Sequence, residues 1–463
     1  MQATDTSIDT FAATNTITAP NIMQQSATNS ANADRDRDGR APAGPIALAV
    51  SRLRAALALE PPVDTAPTSR LVAFDVQPHG LLHPSSPPAP HLLCAAALSD
   101  DSLAMYDLYE QRWSAHKLSN TQMKRVGSVR WQPQSASMLA VGCARGVCIW
   151  RLAFSGNAEL AGGHLLRIVE VFGGPEAFPF AAAALSWHPL GSWLAVASPH
   201  HGGVALCDPA STVAFATLPL HSSGAVGLVQ SLVAAAAGSS VHSSGVSVLE
   251  TSPCGMHLLA AGSHGGVRIY DTRHWSWESW PHLGSRAPVV AAAWNGPPPL
   301  SADPGQRTLL LALKGEGCVH VMRVGRRHSA GATSEYVGHV DLSHLAPAPP
   351  LGGDAAARAH IASLVWEPRG ERLVVGWSGG GAGGGTDGGA GAAGVCVVAT
   401  RVSPSFTAHA LGHVSNGPDG AALRALQFAY AFEGRGGAGA AGSGAMLSVG
   451  WRDGQMSLVP LVF

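Results

Sequence analysis

Residues 126–152 read VGSVRWQPQSASMLAVGCARGVCIWRL. The stretch holds three short apolar runs separated by two turns. Val126, Val129 and Trp131 belong to a first strand that stops at Pro133. Residues 138–141 form a second, nearly all apolar strand. Residues 143–146 are a turn of mostly small residues, and residues 147–150 a third strand. Strands of four to six residues joined by Gly, Pro and Ser turns predict an antiparallel meander. A lone meander cannot bury both of its apolar faces, so it needs neighbours.

The rest of the chain supplies them. The pattern of an apolar residue, a tryptophan two positions on and a proline after another two recurs, each time followed by an apolar run and a Val-rich strand. Its key position is held in turn by Val76, Trp131, Trp187, Thr251, Trp294, Trp366 and Phe428, which makes seven copies. A repeated four-stranded unit of about 40–45 residues is the pattern of WD-type propeller blades. The predicted fold is all-β: a seven-bladed WD40-type β-propeller over residues 63–463, with the uneven spacing absorbed in loops. Trp131, Trp150, Trp187, Trp294 and Trp366 are its predicted blade core, because a large aromatic at a fixed strand position buries much apolar area against the next blade.

Two parts of the chain lie outside the repeats. Residues 1–44 are rich in Thr, Ser, Asn, Ala and Gln and poor in large apolar residues. Such a segment cannot offset its ordering entropy and is predicted to be disordered. Residues 45–62 follow as a short helix and linker, the helix PIALAVSRLRAALALE at 45–60 being ended by Pro61 and Pro62. It either docks on the propeller or meets a partner or membrane surface. Gly-rich runs mark loop insertions at 376–394 and 433–445. They carry no phosphate-binding motif and act as spacers.

Composition narrows the function. Charged residues are 13% and the formal net charge is −1, against a nucleic-acid partner bound through phosphate neutralisation. Of the seven cysteines, Cys94, Cys143, Cys148, Cys207, Cys318 and Cys396 lie singly in or beside predicted strands. They read as small buried hydrophobes in a reducing compartment, not as disulfides. Cys143 and Cys148 straddle a turn without a second pair, and His200 and His201 sit together in a Gly turn. No metal, cofactor, small-molecule substrate or catalytic residue is assigned. No apolar run is long enough for a membrane span, and no signal or transit peptide is visible at the N-terminus.

One surface motif stands out: Trp275, Trp277 and Trp280 after the third strand of blade four. Trp275 and Trp277, two apart, are expected on one face of an outermost strand. They either pack on the third strand or form an exposed partner-binding patch. The last blade ends soon after its third strand. Chain within residues 65–76 is expected to supply the missing outer strand and close the ring.

With the blades laid out, the sequence resembles the Aladin nucleoporins, WD-repeat proteins of the nuclear pore complex. Four stretches carry the resemblance: 126–152, VRIYDTRHWSWESWP at 267–281, IASLVWEPRGERLV at 361–374 and LSVGWRDGQMSLVPLVF at 447–463. The resemblance implies a non-catalytic scaffold at the nuclear envelope. It would be held there through a transmembrane pore-membrane nucleoporin, contact other nucleoporins and support nucleocytoplasmic transport. The alternative from the repeats alone is another WD-type adaptor, such as a ubiquitin-ligase substrate receptor or a trafficking scaffold. No recruitment module such as an F-box is visible.

Overall fold

Each of the seven sequence copies begins with a strand rich in β-branched and small apolar residues, and these strands are the innermost strands of seven sheets. They are Leu71–Val76, Ser128–Trp131, Ala184–Trp187, Val246–Thr251, Val289–Trp294, His360–Trp366 and Leu423–Glu433. The computed structural model describes residues 69–77, 92–108, 112–154, 160–171, 182–219, 245–263, 266–280, 283, 287–296, 306–327, 331–346, 359–367, 370–378, 394–402, 406–414, 423–433 and 443–462. The propeller unit spans Asp64–Phe463. The segment before it, including the predicted tail and the helix at 45–62, lies outside the described residues.

Within each sheet the strands run in chain order from the inside outwards, all antiparallel. The second strands are nearly continuous apolar runs: Leu93–Leu98, Leu194–Ala197 and His257–Gly262 are buried at every position. A strand covered on both faces by neighbouring blades has no polar side, so alternation disappears. Six sheets have four strands and the seventh has three among the described residues.

The blades approach closely at one repeated position. Three residues before the key position, the innermost strand pairs with a small residue on the second strand. These partners are Ala97, Gly142, Ala197, Ala261, Ala312, Gly376 and Gly450. At the three glycines a Cβ would collide with the next blade: 2.3 Å from the Ala182 carbonyl oxygen, 2.4 Å from Leu423 and 2.5 Å from the Phe74 ring. The next blade's backbone or inner side chains occupy that space, so these three positions take Gly and the other four take nothing larger than Ala.

The ring closes differently from the sequence expectation. Leu71–Val76 is not an outer strand of the last blade. It is the innermost strand of blade one and pairs with Leu93–Leu98. Its register matches the other blades: Asp75 holds the place that Arg130 holds in blade two, one residue before the key position. Its hydrogen bonds to the last blade are lateral. Leu71 N donates to Arg452 O (3.3 Å), Arg424 Nε to Val72 O (2.6 Å) and Val76 N to Gln427 Oε1 (3.2 Å). Residues 65–68 lie outside the described residues.

Two insertion boundaries also move. The strand Arg372–Ser378 runs through the start of the predicted 376–394 insertion and buries Gly376 and Trp377. Glu433 ends one strand and Ser443–Trp451 begins another, so the second insertion narrows to 434–442. A glycine that lets a blade approach and a glycine in a spacer are the same letter, and the run hid the strand ends.

Candidate functional site

The innermost strands line a central channel of about 760 Å³. Its chemistry follows from the residue just before each key position: Asp75, Arg130, Ser186, Glu250, Ala293, Val365 and Gln427. Going round the ring, Gln427, Asp75, Arg130, Ser186 and Glu250 form a polar arc, and Ala293 and Val365 complete it with an apolar one.

The arc is bonded from blade to blade. Gln427 Nε2 donates to Asp75 Oδ1 (2.6 Å), and the Trp131 backbone N donates to Asp75 Oδ2 (2.5 Å). Arg130 pairs with Asp75 at 3.6 Å. The Ser186 and Thr251 hydroxyls lie 2.8 Å apart, and Thr251 N donates to Ser186 Oγ. Burial raises the Asp75 carboxyl above its usual range, with Arg130 and the hydrogen bonds opposing. Burial also lifts Glu250 to about 7; the Arg130 charge opposes this and the Asp75 carboxylate adds to it. Asp75, Arg130 and Glu250 therefore converge on one channel, which the sequence reading did not foresee. The signal was there in the residue preceding each key position.

The tryptophans are part of the same device. Trp131, Trp150, Trp187, Trp294 and Trp366 are all buried. The indole of Trp131 donates to the Asp75 carbonyl (3.0 Å), that of Trp187 to the Arg130 carbonyl (3.3 Å) and that of Trp294 to the Glu250 carbonyl (3.2 Å). Each reaches the residue before the key position of the preceding blade. Trp366 departs from this. Its indole donates to Thr400 Oγ1 in its own blade, and its ring meets Phe406 edge-on at 6.2 Å.

On the outer face the Trp275, Trp277 and Trp280 group divides. Trp275 precedes the strand Trp277–Trp280, with φ of 53°. It does not share a strand face with Trp277, because the turn that ends at Trp275 N bonding to Asp271 O breaks the alternation. It meets Trp193 of blade three edge-on at 5.5 Å. Trp280 donates to Ser334 Oγ of blade five (2.6 Å), and Glu278 accepts from both the backbone N–H and the hydroxyl of Ser334. Trp277 alone is well exposed, at 46%, and lies over the Tyr270 ring with the Arg268 guanidinium 5.1 Å from its centre. Other outer strands also expose large apolar residues: Phe215, with Val213 just before its strand, Tyr336 and Val337, and Leu411.

Cys143 and Cys148 face each other across the hairpin tip, with sulfurs 3.6 Å apart, both buried. His201 lies with its ring against the turn, Nδ1 accepting from Gly203 N, and burial lowers its pKa. Among the described residues one group has the donors to hold a metal ion, Glu316, Cys318 and His320 in blade five. The sequence reading missed it, having taken Cys318 as a plain strand residue.

No family model matches the sequence. Aladin from Arabidopsis thaliana is 24% identical over 363 residues, covering 75% of this chain and 68% of that protein. This similarity supports the resemblance to the Aladin proteins read from the sequence. The stretches that carry the Aladin resemblance fall at separate points round the ring: the first three strands of blade two, the two outer strands of blade four, the two inner strands of blade six and the last two strands of the closing blade. Among solved structures, the chain is similar to the Myceliophteria thermophila Cps50 (Swd1) beta-propeller domain. The TM-score is 0.47 at 14% identity, over 80% of this chain and 93% of that chain. It is also similar to a chain of the Mitotic Checkpoint Complex, with TM-score 0.48 at 17% identity, over 87% of this chain and 98% of that chain.

Proposed function

We propose that the protein is a non-enzymatic scaffold subunit of the nuclear pore complex, attached at the nuclear envelope by protein contacts and supporting nucleocytoplasmic transport. The observation that carries this reading is the Aladin similarity over three quarters of the chain. Its partners on this reading are other nucleoporins, among them one that spans the pore membrane. No helix among the described residues is long and apolar enough to cross a membrane. The structure supports a scaffold over a catalyst in one respect. Gln427, Asp75, Ser186 and Thr251 spend polar atoms on neighbouring blades, so much of the channel's polar chemistry holds the ring together. The outer strands, with Trp277, Phe215 and Leu411 exposed, are left to meet partners.

The test is a fluorescent fusion combined with proximity labelling. The expected result is a punctate nuclear rim and enrichment of nucleoporins, including a membrane-spanning one. A diffuse cytoplasmic signal with no nucleoporin enriched would overturn the reading in favour of another WD-type adaptor.

A further inference from the structure

The hairpin joining Arg307–Leu313 to Cys318–Arg327 in blade five turns through Lys314, Gly315, Glu316 and Gly317. Cys318 and His320 are two apart on its outgoing strand, so both side chains leave the same face. Glu316 reaches that face from the turn. One Glu316 oxygen lies 3.1 Å from the Cys318 sulfur and 3.1 Å from His320 Nε2, and the sulfur is 4.0 Å from that nitrogen. A tetrahedral zinc ion, with bonds of about 2.0–2.3 Å, sets its ligand atoms about 3.3–3.8 Å apart. Shifts of well under 1 Å convert one arrangement into the other.

Two further features single out this cluster. His320 Nδ1 lies 3.0 Å from the Tyr336 hydroxyl. A metal-binding imidazole nearly always has its second nitrogen held in this way, which fixes ring and tautomer. The neighbouring strand Gly331–Asp341 places His339 opposite His320 and Asp341 opposite Cys318. Directly opposed residues of an antiparallel pair share a face, so both further donors point to the same side. The His320 and His339 rings are 6.2 Å apart.

We propose that Glu316, Cys318 and His320 form a binding site for a divalent transition cation of the zinc class, with His339 or Asp341 as the fourth ligand. One thiolate, one imidazole and one carboxylate form a mixed donor set that suits zinc and disfavours calcium or magnesium, which take oxygen alone. Without the cation, the Cys318 thiol donates to the facing Glu316 carboxylate at 3.1 Å. Binding expels that proton to solvent. The imidazole proton moves to Nδ1, where the Tyr336 oxygen accepts it. The cation joins the hairpin turn to the outer strand of blade five. This site does not depend on the pore reading.

The test uses the full chain stripped by chelator and titrated with Co²⁺, then with Zn²⁺. The expected result is one equivalent of Co²⁺ with a near-ultraviolet thiolate band that Zn²⁺ abolishes. Tyr336→Phe should weaken binding about 10–100-fold, as for other outer-shell partners, and Cys318→Ser and His320→Gln by more. Absence of the band, or a band unchanged in Cys318→Ser, overturns the proposal. Alkylation of the unaltered chain gives a check that needs no variant. Cys254 and Cys318 are the two cysteines not fully buried. Zn²⁺ should slow modification of Cys318 and leave Cys254 unchanged; equal rates with and without Zn²⁺ at Cys318 overturn the site.

Discussion

The inner ring and the outer strands of this propeller obey different rules. Inside, one bond recurs: an indole of one blade donates to the carbonyl before the key position of the last, at Trp131, Trp187 and Trp294. One small residue recurs at every blade approach. Outside, the fourth strand runs from two residues, Arg112–Trp113, to eleven, Gly331–Asp341, and its contacts differ from blade to blade. Inner positions answer to a geometry that all seven blades share. Outer positions answer only to their own neighbours, which leaves them free to carry recognition.

The sharpest way to break this contrast is to remove an inner staple. Trp131→Ala should destabilise by about 3–5 kcal/mol in a reversible urea melt, because a buried indole is lost against a close-packed blade. Trp131→Phe keeps most of the ring and leaves the Asp75 carbonyl without its donor, at about 1–2 kcal/mol. The same Phe substitution at Trp366 should cost no inter-blade bond, since that indole bonds within its own blade. Equal effects of Trp131→Phe and Trp366→Phe would show that the blade-to-blade hydrogen bond adds nothing.

The closure seam comes next. Gly450→Ala would place a methyl 2.5 Å from the Phe74 ring and 2.7 Å from Leu71. Overpacking of this kind costs about 1–3 kcal/mol. Gly454→Ala, in the turn of the same hairpin, tests a different cause, backbone strain at φ of 92°. If Gly450→Ala melts like the parent chain, the seam has slack and the seventh blade is not held by close approach.

What could be read from the sequence follows the same division. All seven key positions, from Val76 to Phe428, fall on innermost strands, because repetition makes register visible. The closure was misread because one strand cannot be both the innermost strand of blade one and the outer strand of the last blade: Leu71–Val76 forms its ladder with Leu93–Leu98 and meets the last blade only laterally. Trp377 was hidden beside a Gly-rich run. Glu316, Cys318 and His320 span a turn and a strand, and only the hairpin brings a turn carboxylate onto the face of the strand. The split of Trp275 from Trp277 hangs on one residue with positive φ, which no pattern of apolar residues announces.

The channel offers a smaller effect that depends on pH. Burial lifts Glu250 from an ordinary 4.5 to about 7. The folded state thus holds a proton that the unfolded chain releases earlier. The stability this contributes is complete below about pH 4.5 and is lost as pH rises through 7. Glu250→Gln should therefore match the parent chain near pH 4.5 and exceed it by about 1–3 kcal/mol at pH 8, water in the channel setting the lower end. A stability difference that does not change between these two pH values would show that Glu250 ionises freely in the channel.

The smallest stability change should accompany the largest functional one. Trp277 is exposed, and its contacts are the Tyr270 ring and Arg268 above its face. An exposed cation–π contact is worth about 0.5–1 kcal/mol. Trp277→Ser should therefore shift the melt by no more than about 1 kcal/mol, whereas Trp275→Ala and Trp280→Ala should cost more by cutting ties to Trp193 and Ser334. If the outer face of blade four is where the pore partner docks, Trp277→Ser alone should disperse a nuclear-rim signal while the fold stays intact. A folded Trp277→Ser protein that remains at the rim would move the docking surface to another outer strand. Val213 with Phe215 in blade three, or Leu411 in blade six, would then be the next to replace. If instead Trp277→Ser unfolds the protein, the division between a bonded inner ring and a free outer face fails at the residue that best displays it.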